Sequence, residues 1–314
     1  MKQPPPVVAL LVLAPFIGEV MSTSTPITSF VLPWTLLFEG ALYGGGALLV
    51  REVVRSRGWG LAGFVALGAA YGVFEEAVLV RSWFAPEFLE AHRDYSRVWQ
   101  TSLLQAVHLT AFHVVVSIGC SVALVEWLHP GHRHLPWVGR RGLAVASVGL
   151  VALAALSLLA PEAFFPVPWP QVGAAAALTA GLVLVAPRLP RRWPATGAVS
   201  RRVFAGAVAA CLIGHFALVW SAPALGVPWP WGLGLAAATL LVGWAVATRL
   251  SPGSGAERLS GLVLGLGWPL VLLNLLVGLG GRLDCLLTAA VTAVGLVWVA
   301  RRHSTRVLPA DAPR

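Results

Sequence analysis

Ten long hydrophobic segments alternate with short polar connections along this 314-residue chain. An α-helix rises 1.5 Å per residue, so about 20 apolar residues cross the ~30 Å hydrocarbon core of a bilayer. We therefore predict an all-α, polytopic integral membrane protein with about ten transmembrane helices. The predicted spans lie near residues 6–22, 30–50, 60–82, 100–127, 142–160, 171–187, 202–222, 231–249, 259–279 and 284–300.

Composition supports the membrane assignment. The chain is 57% hydrophobic and 11% charged, and its mean hydropathy is +0.79. A soluble domain of this length could not bury so much apolar surface. The net charge of +9 is explained by basic cytoplasmic loops, so we expect no nucleic-acid partner. Arginine far outnumbers lysine and Ala, Gly and Leu are abundant, which is typical of a GC-rich bacterial genome. We expect a multi-pass protein of the bacterial cytoplasmic membrane, surrounded by membrane lipids.

The distribution of basic residues predicts the orientation. With ten spans and a cytoplasmic N-terminus, 18 of the 22 lysines and arginines fall on the cytoplasmic side. The other four are Arg81, Arg93, Arg97 and Arg282. This asymmetry is the expected positive-inside pattern, and an odd error in the number of spans would destroy it. Both termini are therefore predicted to be cytoplasmic.

The N-terminal segment has two interpretations. A short basic start and an apolar stretch resemble a secretory signal. However, no A-x-A cleavage site follows, and Pro15 and Glu19 interrupt the apolar stretch. We favour a retained first helix.

Polarity divides the chain into two parts of one membrane domain. Residues 1–141 form a four-span half that carries the acidic and histidine-bearing spans. Residues 142–314 form a six-span apolar scaffold with a basic C-terminal tail, and His215 and Asn274 are its conspicuous deep polar residues. Glu52 and Glu126 lie at the inner interface beside arginines, where we expect them to be solvated.

Adjacent glutamates inside an apolar run are the main functional signal. Glu75 and Glu76 lie within A-L-G-A-A-Y-G-V-F-E-E-A-V-L-V. A carboxylate in a bilayer costs roughly 2.5–3.5 kcal/mol on insertion scales, so such residues are retained for a reason. The first four spans also carry further ionisable residues in the outer half of the membrane, namely Glu19, Glu39, His108 and His113.

Helical spacing groups these residues by face. Glu39 with Tyr43, and Tyr71 with Glu75, are i,i+4 pairs on two neighbouring antiparallel spans, so the two faces could line one polar site. The glycines at 44–46, 68 and 72 would let these helices approach closely.

The fourth predicted span carries two histidines on different faces. Gln105 shares a face with His108, whereas His113 lies about 140° around the helix from His108. Both histidines cannot bind one ion from a regular helix, so a bound metal and a cofactor stay unassigned. The run H-P-G-H-R-H at 129–134 is expected to be a solvated cytoplasmic loop.

The paired glutamates, the nearby arginine Arg81 and the histidine His108 on the next span resemble the CAAX-protease and bacteriocin-processing family of intramembrane glutamate proteases. That family carries E-E-x-x-x-R, a later F-x-x-x-H and a final H-x-x-x-N. Here Arg81 falls one residue late, Leu104 stands at the Phe position, and H-x-x-x-N is absent. The resemblance covers residues 75–113 and implies an intramembrane hydrolase.

Three functions therefore remain open. The first is a hydrolase in which Glu75 or Glu76 activates water, assisted by His108, on a peptide or lipid substrate within the outer half of the bilayer. Burial favours the uncharged carboxyl, so such a glutamate can act as a general base near neutral pH. The alternatives are a proton- or cation-coupled transporter and a non-catalytic assembly protein. The expected supporting residues are Glu39, Tyr43, Tyr71, Arg81, Gln105, His113 and Glu19.

Overall fold

The computed structural model describes residues 4–85, 94–159, 168–192 and 196–304. Eight of its helices are long and apolar enough to cross a membrane, and each coincides with a predicted span. They are Leu61–Leu79, Leu103–Leu128, Arg140–Leu159, Trp169–Arg188, Arg201–Ala224, Trp229–Arg249, Gly255–Leu279 and Leu283–Arg301. The all-α membrane architecture is therefore confirmed. The C-terminal tail from residue 305 and Arg93 lie outside the described residues.

The first two predicted spans are helical but differ from these eight. Pro6–Val20 is an apolar helix of fewer than 18 residues. The second predicted span is a continuous helical run from Pro33 to Arg57, which is less apolar because it carries glycines, Glu39 and a charged C-terminal end. The total of ten spans and the cytoplasmic termini stay predictions.

Several spans contain π-helical turns, in which the backbone hydrogen bonds join residues five apart instead of four. The elements of the first half are α1 (Pro6–Pro15), π1 (Phe16–Val20), α2 (Ile27–Phe30), α3 (Pro33–Glu39), π2 (Gly40–Gly44), α4 (Gly45–Arg57), α5 (Leu61–Val73), π3 (Phe74–Leu79), β1 (Arg97–Val98), β2 (Thr101–Ser102), α6 (Leu103–Phe112), π4 (His113–Cys120) and α7 (Ser121–Leu128). β1 and β2 form a short antiparallel hairpin.

The second half consists mainly of uninterrupted α-helices. Its elements are α8 (Arg140–Leu159), α9 (Trp169–Val185), β3 (Gly197–Val199), α10 (Arg201–Ala224), α11 (Trp229–Arg249), β4 (Leu250–Pro252), α12 (Gly255–Leu279) and α13 (Leu283–Ser304). β3 and β4 pair in parallel between the helices. Single-turn 3₁₀ segments lie at Ser82–Phe84, Pro130–His132 and Ala186–Arg188.

Local sequence signals explain where the helices begin and end. Prolines in the first turn start α9 and α11, where a missing N–H costs nothing. Ser254 and Glu257 form a reciprocal capping box at the start of α12. Gly58 ends α4 in the left-handed conformation, with φ of 63°.

Burial places the first half at the centre. The Leu61–Leu79 helix is the most enclosed, with 72% of its apolar window buried, against 17% for Trp229–Arg249. Leucines and valines of the second half remain exposed along α8 and α11, as expected for helices that face lipid.

Two polar residues of the scaffold half connect it to the first half. Asn274 on α12 donates its side-chain amide to the Met21 carbonyl at 2.7 Å. His215 on α10 lies 3.3 Å from His108, between the two ring nitrogens. The apolar contacts around Ile17, Val116 and Phe204 complete this junction. Asn274 and His215 therefore each contact a residue of the first half.

A buried ion network fastens the predicted cytoplasmic end. Arg51 pairs with Glu52 and Glu126, and all three residues are only 1% exposed. Arg55 adds a second contact to Glu126 at 2.6 Å, and the Arg51 guanidinium lies 3.8 Å from the ring centroid of Trp137. The expectation that Glu52 and Glu126 are solvated is therefore wrong, because the 129–137 segment folds over them.

The orientation can be tested by cysteine labelling of intact cells, in a variant without Cys120, Cys211 and Cys285. A cysteine at Leu225, in the exposed α10–α11 connection, should react with a membrane-impermeant maleimide. A cysteine at Arg191, in the exposed connection after α9, should react only after permeabilisation. Equal labelling at both positions in intact cells would contradict the predicted topology.

Candidate functional site

The π-helical turns coincide with several of the ionisable and tyrosine residues of the first four predicted spans. Each replaces regular i→i+4 bonding, as when Val80 N–H donates to the Glu75 carbonyl at 2.7 Å. Such turns recur at functional sites because they displace side chains from the regular helical positions. π1 carries Glu19, π2 carries Tyr43, π3 carries Glu75 and Glu76, and π4 begins at His113.

His113 lies between the two adjacent glutamates. Its Nε2 is 2.7 Å from Glu76 Oε1, and its Nδ1 is 3.1 Å from Glu75 Oε2. The exposed fractions are 1% for His113, 1% for Glu75 and 6% for Glu76. We call these residues the Glu–His triad. A single imidazole thus contacts both carboxylates within the membrane-spanning part of the protein.

Two tyrosines enclose the triad. The Tyr43 ring stacks on His113 with a centroid distance of 5.9 Å, and the Tyr71 ring approaches it edge-on at 5.8 Å. Both hydroxyls interact with the Glu75 carboxylate, and the Tyr71 hydroxyl also donates to the Leu42 carbonyl at 3.1 Å. Nevertheless, Glu75 Oε2 is buried and has no hydrogen-bond partner. Tyr43 from one of the two predicted Glu/Tyr faces, and Tyr71 with Glu75 from the other, therefore meet at His113.

A polar chain leads from the triad toward less buried residues. The Tyr43 hydroxyl donates to the Glu19 carboxylate. The Thr25 hydroxyl lies 2.7 Å from Glu19 Oε2 and 3.2 Å from Glu39 Oε1. Glu19 and Thr25 are half-buried. Glu19 and Glu39 therefore belong to the same cluster as Glu75, although Glu39 reaches it through Thr25 and not through Tyr43.

Three further contacts hold the other side of the triad. Ser82 donates to the Glu76 carboxylate, and Gln105 donates from Nε2 to the Ser82 carbonyl at 2.8 Å. The Ser117 hydroxyl lies 3.1 Å from His113 Nδ1. Gln105 therefore contacts the triad indirectly, through Ser82, and its supporting role stays a prediction.

The histidine that contacts the glutamates is His113, whereas the sequence pointed to His108. His108 stacks on His215 with a centroid distance of 5.3 Å and meets Phe216 edge-on at 5.0 Å. His215 in turn hydrogen-bonds to Thr239 at 2.7 Å. The two histidines point to different faces, as the angle of about 140° required. The position of a histidine along its span gives its depth in the membrane, but it does not show which face of the helix contacts the glutamates.

Arg81 is fully buried and adopts the left-handed conformation, with φ of 66°. Its Nη1 donates to the Leu79 carbonyl and to the Ser157 hydroxyl of α8, each at 3.1 Å. The helical run ends just before Arg81. Arg81 lies one residue later than the E-E-x-x-x-R pattern requires, and its backbone is no longer helical at that position. Arg81 links the end of π3 to α8.

Sequence reasoning missed three hydroxyl residues of the cluster. Ser117 is spaced i,i+4 from His113 on the same helix, and this spacing was an available signal. Ser82 follows Arg81 at the end of a span, and Thr25 lies in a connection, where periodicity carries no information about contacts. Only the folded chain brings these two residues to Glu76 and Glu19.

The triad has the composition of a ligand set. Glu75, Glu76 and His113 each offer one ligand atom, and these atoms lie within 4.8 Å of one another. Among the described residues, the triad is the one group of three or more His, Cys, Asp or Glu side chains that lie close enough together to hold a metal ion. The same atoms can hold and exchange protons, because each is a base in its unprotonated form.

These features define a polytopic α-helical membrane protein with a buried carboxylate–imidazole site. The chain belongs to an uncharacterized membrane protein family, whose profile matches residues 8–221. The matched region includes the triad, both tyrosines and His215. The match is not to the CAAX-protease and bacteriocin-processing family. Neither the curated proteins nor the solved structures provide a match.

The packing of Tyr71 can be tested at two adjacent glycines. A Cβ added at Gly46 would overlap the Tyr71 ring, whereas at Gly45 it would meet nothing within 4 Å. Gly46→Ala should therefore lower stability by about 1–3 kcal/mol through overpacking, and Gly45→Ala should leave it unchanged or raise it by up to about 1 kcal/mol. Thermal unfolding in detergent measures both. Equal effects would show that Tyr71 does not pack against Gly46.

Proposed function

We propose that this protein is an intramembrane hydrolase of the bacterial cytoplasmic membrane whose reactive group is the Glu–His triad. The observation that carries the proposal is the contact of one buried imidazole with two carboxylates, at 2.7 and 3.1 Å. Carboxylate and imidazole groups in direct contact are the components of general acid–base catalysis. The E-E pair followed by a histidine on the next span is the part of the protease-like pattern that remains, since Leu109 stands where F-x-x-x-H would require Phe before His113.

Glu75 is the proposed proton acceptor. Its Oε2 accepts no hydrogen bond and lies 3.1 Å from His113 Nδ1. If the Nδ1 proton is directed to Ser117, the oxygen is left to take a proton from an attacking water. The Tyr43 and Tyr71 hydroxyls interact with the same carboxylate and fix its orientation. A general base of this kind contributes roughly 10²–10⁴-fold to a rate.

Glu76 and His113 form the proposed charge-stabilising pair. The Glu76 carboxylate accepts a hydrogen bond from Ser82 and lies 2.7 Å from His113 Nε2. A carboxylate in this position orients an imidazole and stabilises its protonated form. The resulting positive charge would stabilise the negative charge that develops on a carbonyl oxygen during hydrolysis.

The apolar helices around the triad limit the substrates that can reach it. The site lies in apolar helices, and α3 beside it exposes Trp34 and Leu37. A substrate that reaches the triad from the lipid must itself be apolar around its scissile bond. A membrane-embedded peptide or the ester or amide of a lipid meets this requirement.

The hydrolase proposal predicts a specific loss of activity. Cells producing the wild-type protein should contain new membrane-peptide termini or lipid cleavage products, measured by N-terminal proteomics and lipidomics. Glu75→Gln and His113→Gln should reduce them by at least about 10²-fold at equal protein level in the membrane. His132→Gln, at an exposed loop position, is the matched control.

Three outcomes are informative. Loss of products only in His108→Gln would return the histidine role to His108. Products that persist in Glu75→Gln, Glu76→Gln and His113→Gln would overturn the proposal. Failure of all three variants to accumulate in the membrane would assign the triad a structural role.

A second candidate, a proton- or cation-coupled transporter, is favoured by the polar chain from Thr25 to Glu75. A phenol has one hydrogen, so Tyr43 can donate to only one of Glu19 and Glu75 at a time. A proton moved from Glu75 to Tyr43 would therefore release the Tyr43 proton to Glu19. Ionisable residues arranged this way are found in proton pathways.

The transport candidate is tested in proteoliposomes that contain a pH-sensitive dye. If the chain conducts protons, wild-type vesicles should dissipate an imposed pH gradient faster than protein-free vesicles. Tyr43→Phe should abolish the difference because it removes the relaying hydroxyl. Tyr95→Phe is the control, since Tyr95 lies near Gly232 of α11 and outside the triad. Equal rates for wild-type and protein-free vesicles would exclude this candidate.

A further inference from the structure

We propose that the Glu–His triad binds one divalent transition-metal ion, with Zn²⁺ and Mn²⁺ as the ions that suit it. In a metal-bound form Glu75 and His113 would be ligands, so the ion would take the charge-stabilising role given above to the protonated imidazole. Its catalytic role rests on the proposed hydrolase, whereas its binding is tested separately. Mixed carboxylate and imidazole ligands fit these metals, since imidazole suits zinc and carboxylate suits manganese.

The distances in the triad are close to those of a metal site. Zinc bonds to histidine nitrogen and carboxylate oxygen are about 2.0–2.2 Å long, so the ligands of one ion lie within roughly 4.4 Å of one another. The three ligand atoms here lie within 4.8 Å of one another. His113 Nε2 and Glu76 Oε1 are 2.7 Å apart, so binding an ion would move them apart by less than about 1 Å, to the roughly 3.4 Å that separates two tetrahedral ligands at ~2.1 Å bond length.

Glu75 provides the independent observation that points to a ligand. Its side chain is 1% exposed, and its Oε2 has no hydrogen-bond partner although it faces His113 Nδ1 at 3.1 Å. A buried, unsatisfied carboxylate oxygen costs free energy. A bound cation would satisfy this oxygen directly.

The residues behind the ligands match the second layer of a metal site. Ser117 lies 3.1 Å from His113 Nδ1, so a hydrogen bond from Nδ1–H to Ser117 would leave Nε2 to bind the metal. Ser82 holds Glu76, and the two tyrosines hold Glu75. Metal-binding histidines and carboxylates are usually oriented by such partners.

Charge balance favours the same conclusion. Two ionised glutamates and a neutral imidazole carry a charge of −2 in an apolar environment, which is costly without compensation. One divalent ion cancels this charge. Three protein ligands also leave a coordination position for water or substrate, as in catalytic zinc sites.

The experiment uses the full-length protein, purified without a histidine tag, stripped with a chelator and equilibrated with Zn²⁺ or Mn²⁺. After removal of free ion, elemental analysis should find about one ion per chain. Glu75→Gln and His113→Gln should lower affinity by more than the roughly 10–100-fold typical of second-layer changes. Tyr71→Phe should lower it within that smaller range, and His108→Gln should leave it unchanged.

The exposed histidines His132 and His134 are the rival site, because they lie in a His-rich loop. Their double substitution by Gln should leave binding unchanged. X-ray absorption of zinc-loaded wild-type protein provides a test that does not depend on variants. One imidazole with oxygen ligands supports the triad, whereas two or more imidazoles would overturn the proposal.

The metal inference and the hydrolase proposal can fail separately. Wild-type protein that binds no ion, yet produces cleavage products that require Glu75 and His113, would overturn the metal site alone. An ion bound at the triad without any triad-dependent product would overturn the hydrolase and leave the metal site intact.

Discussion

The burial of charge in an apolar environment is the constraint on which this structure depends. Two adjacent carboxylates within one span are tolerable only if another group compensates for lost solvation. His113 does so for both glutamates from the neighbouring span. Tyr43 and Ser82 then donate hydrogen bonds to the Glu19 and Glu76 carboxylates. The helices that carry the triad are therefore joined by polar contacts in addition to apolar packing.

The local backbone allows this arrangement. Helices carrying glutamates and tyrosines must approach closely, and Gly46 and Gly18 remove the Cβ atoms that would meet the Tyr71 and Tyr43 rings. The π-helical turns place polar side chains on one cluster from several spans. Departures from regular helix geometry concentrate around the cluster, while α10 to α13 are uninterrupted α-helices. Irregular backbone where polar groups converge is typical of membrane proteins with a functional interior.

Hydrophobic patterning predicted most of the fold, because the length of an apolar run determines whether it can span a bilayer. Eight spans agree with their predicted positions. The site was predictable in its residue types and depth, but not in its pairings. Rotation about a helix separates His108 from His113, and a single sequence does not show which face meets α5. The burial of Glu52 and Glu126 was missed because it depends on a folded loop.

The hydrolase and transporter proposals differ in what must reach Glu75. Hydrolysis requires a water and a scissile bond beside its Oε2, whereas proton transfer requires only a shift of hydrogen bonds along Tyr43 and Glu19. A simple proton path would also need a continuation toward the opposite side, which is predicted to be cytoplasmic. On that side, Val122 and Val125 belong to an apolar cluster with Ala47 and Leu48. This apolar layer separates the triad from the Arg51–Glu126 network. An apolar layer on one side of the triad and a polar connection to half-buried Glu19 on the other favour the proposed chemistry at the triad over passage through it.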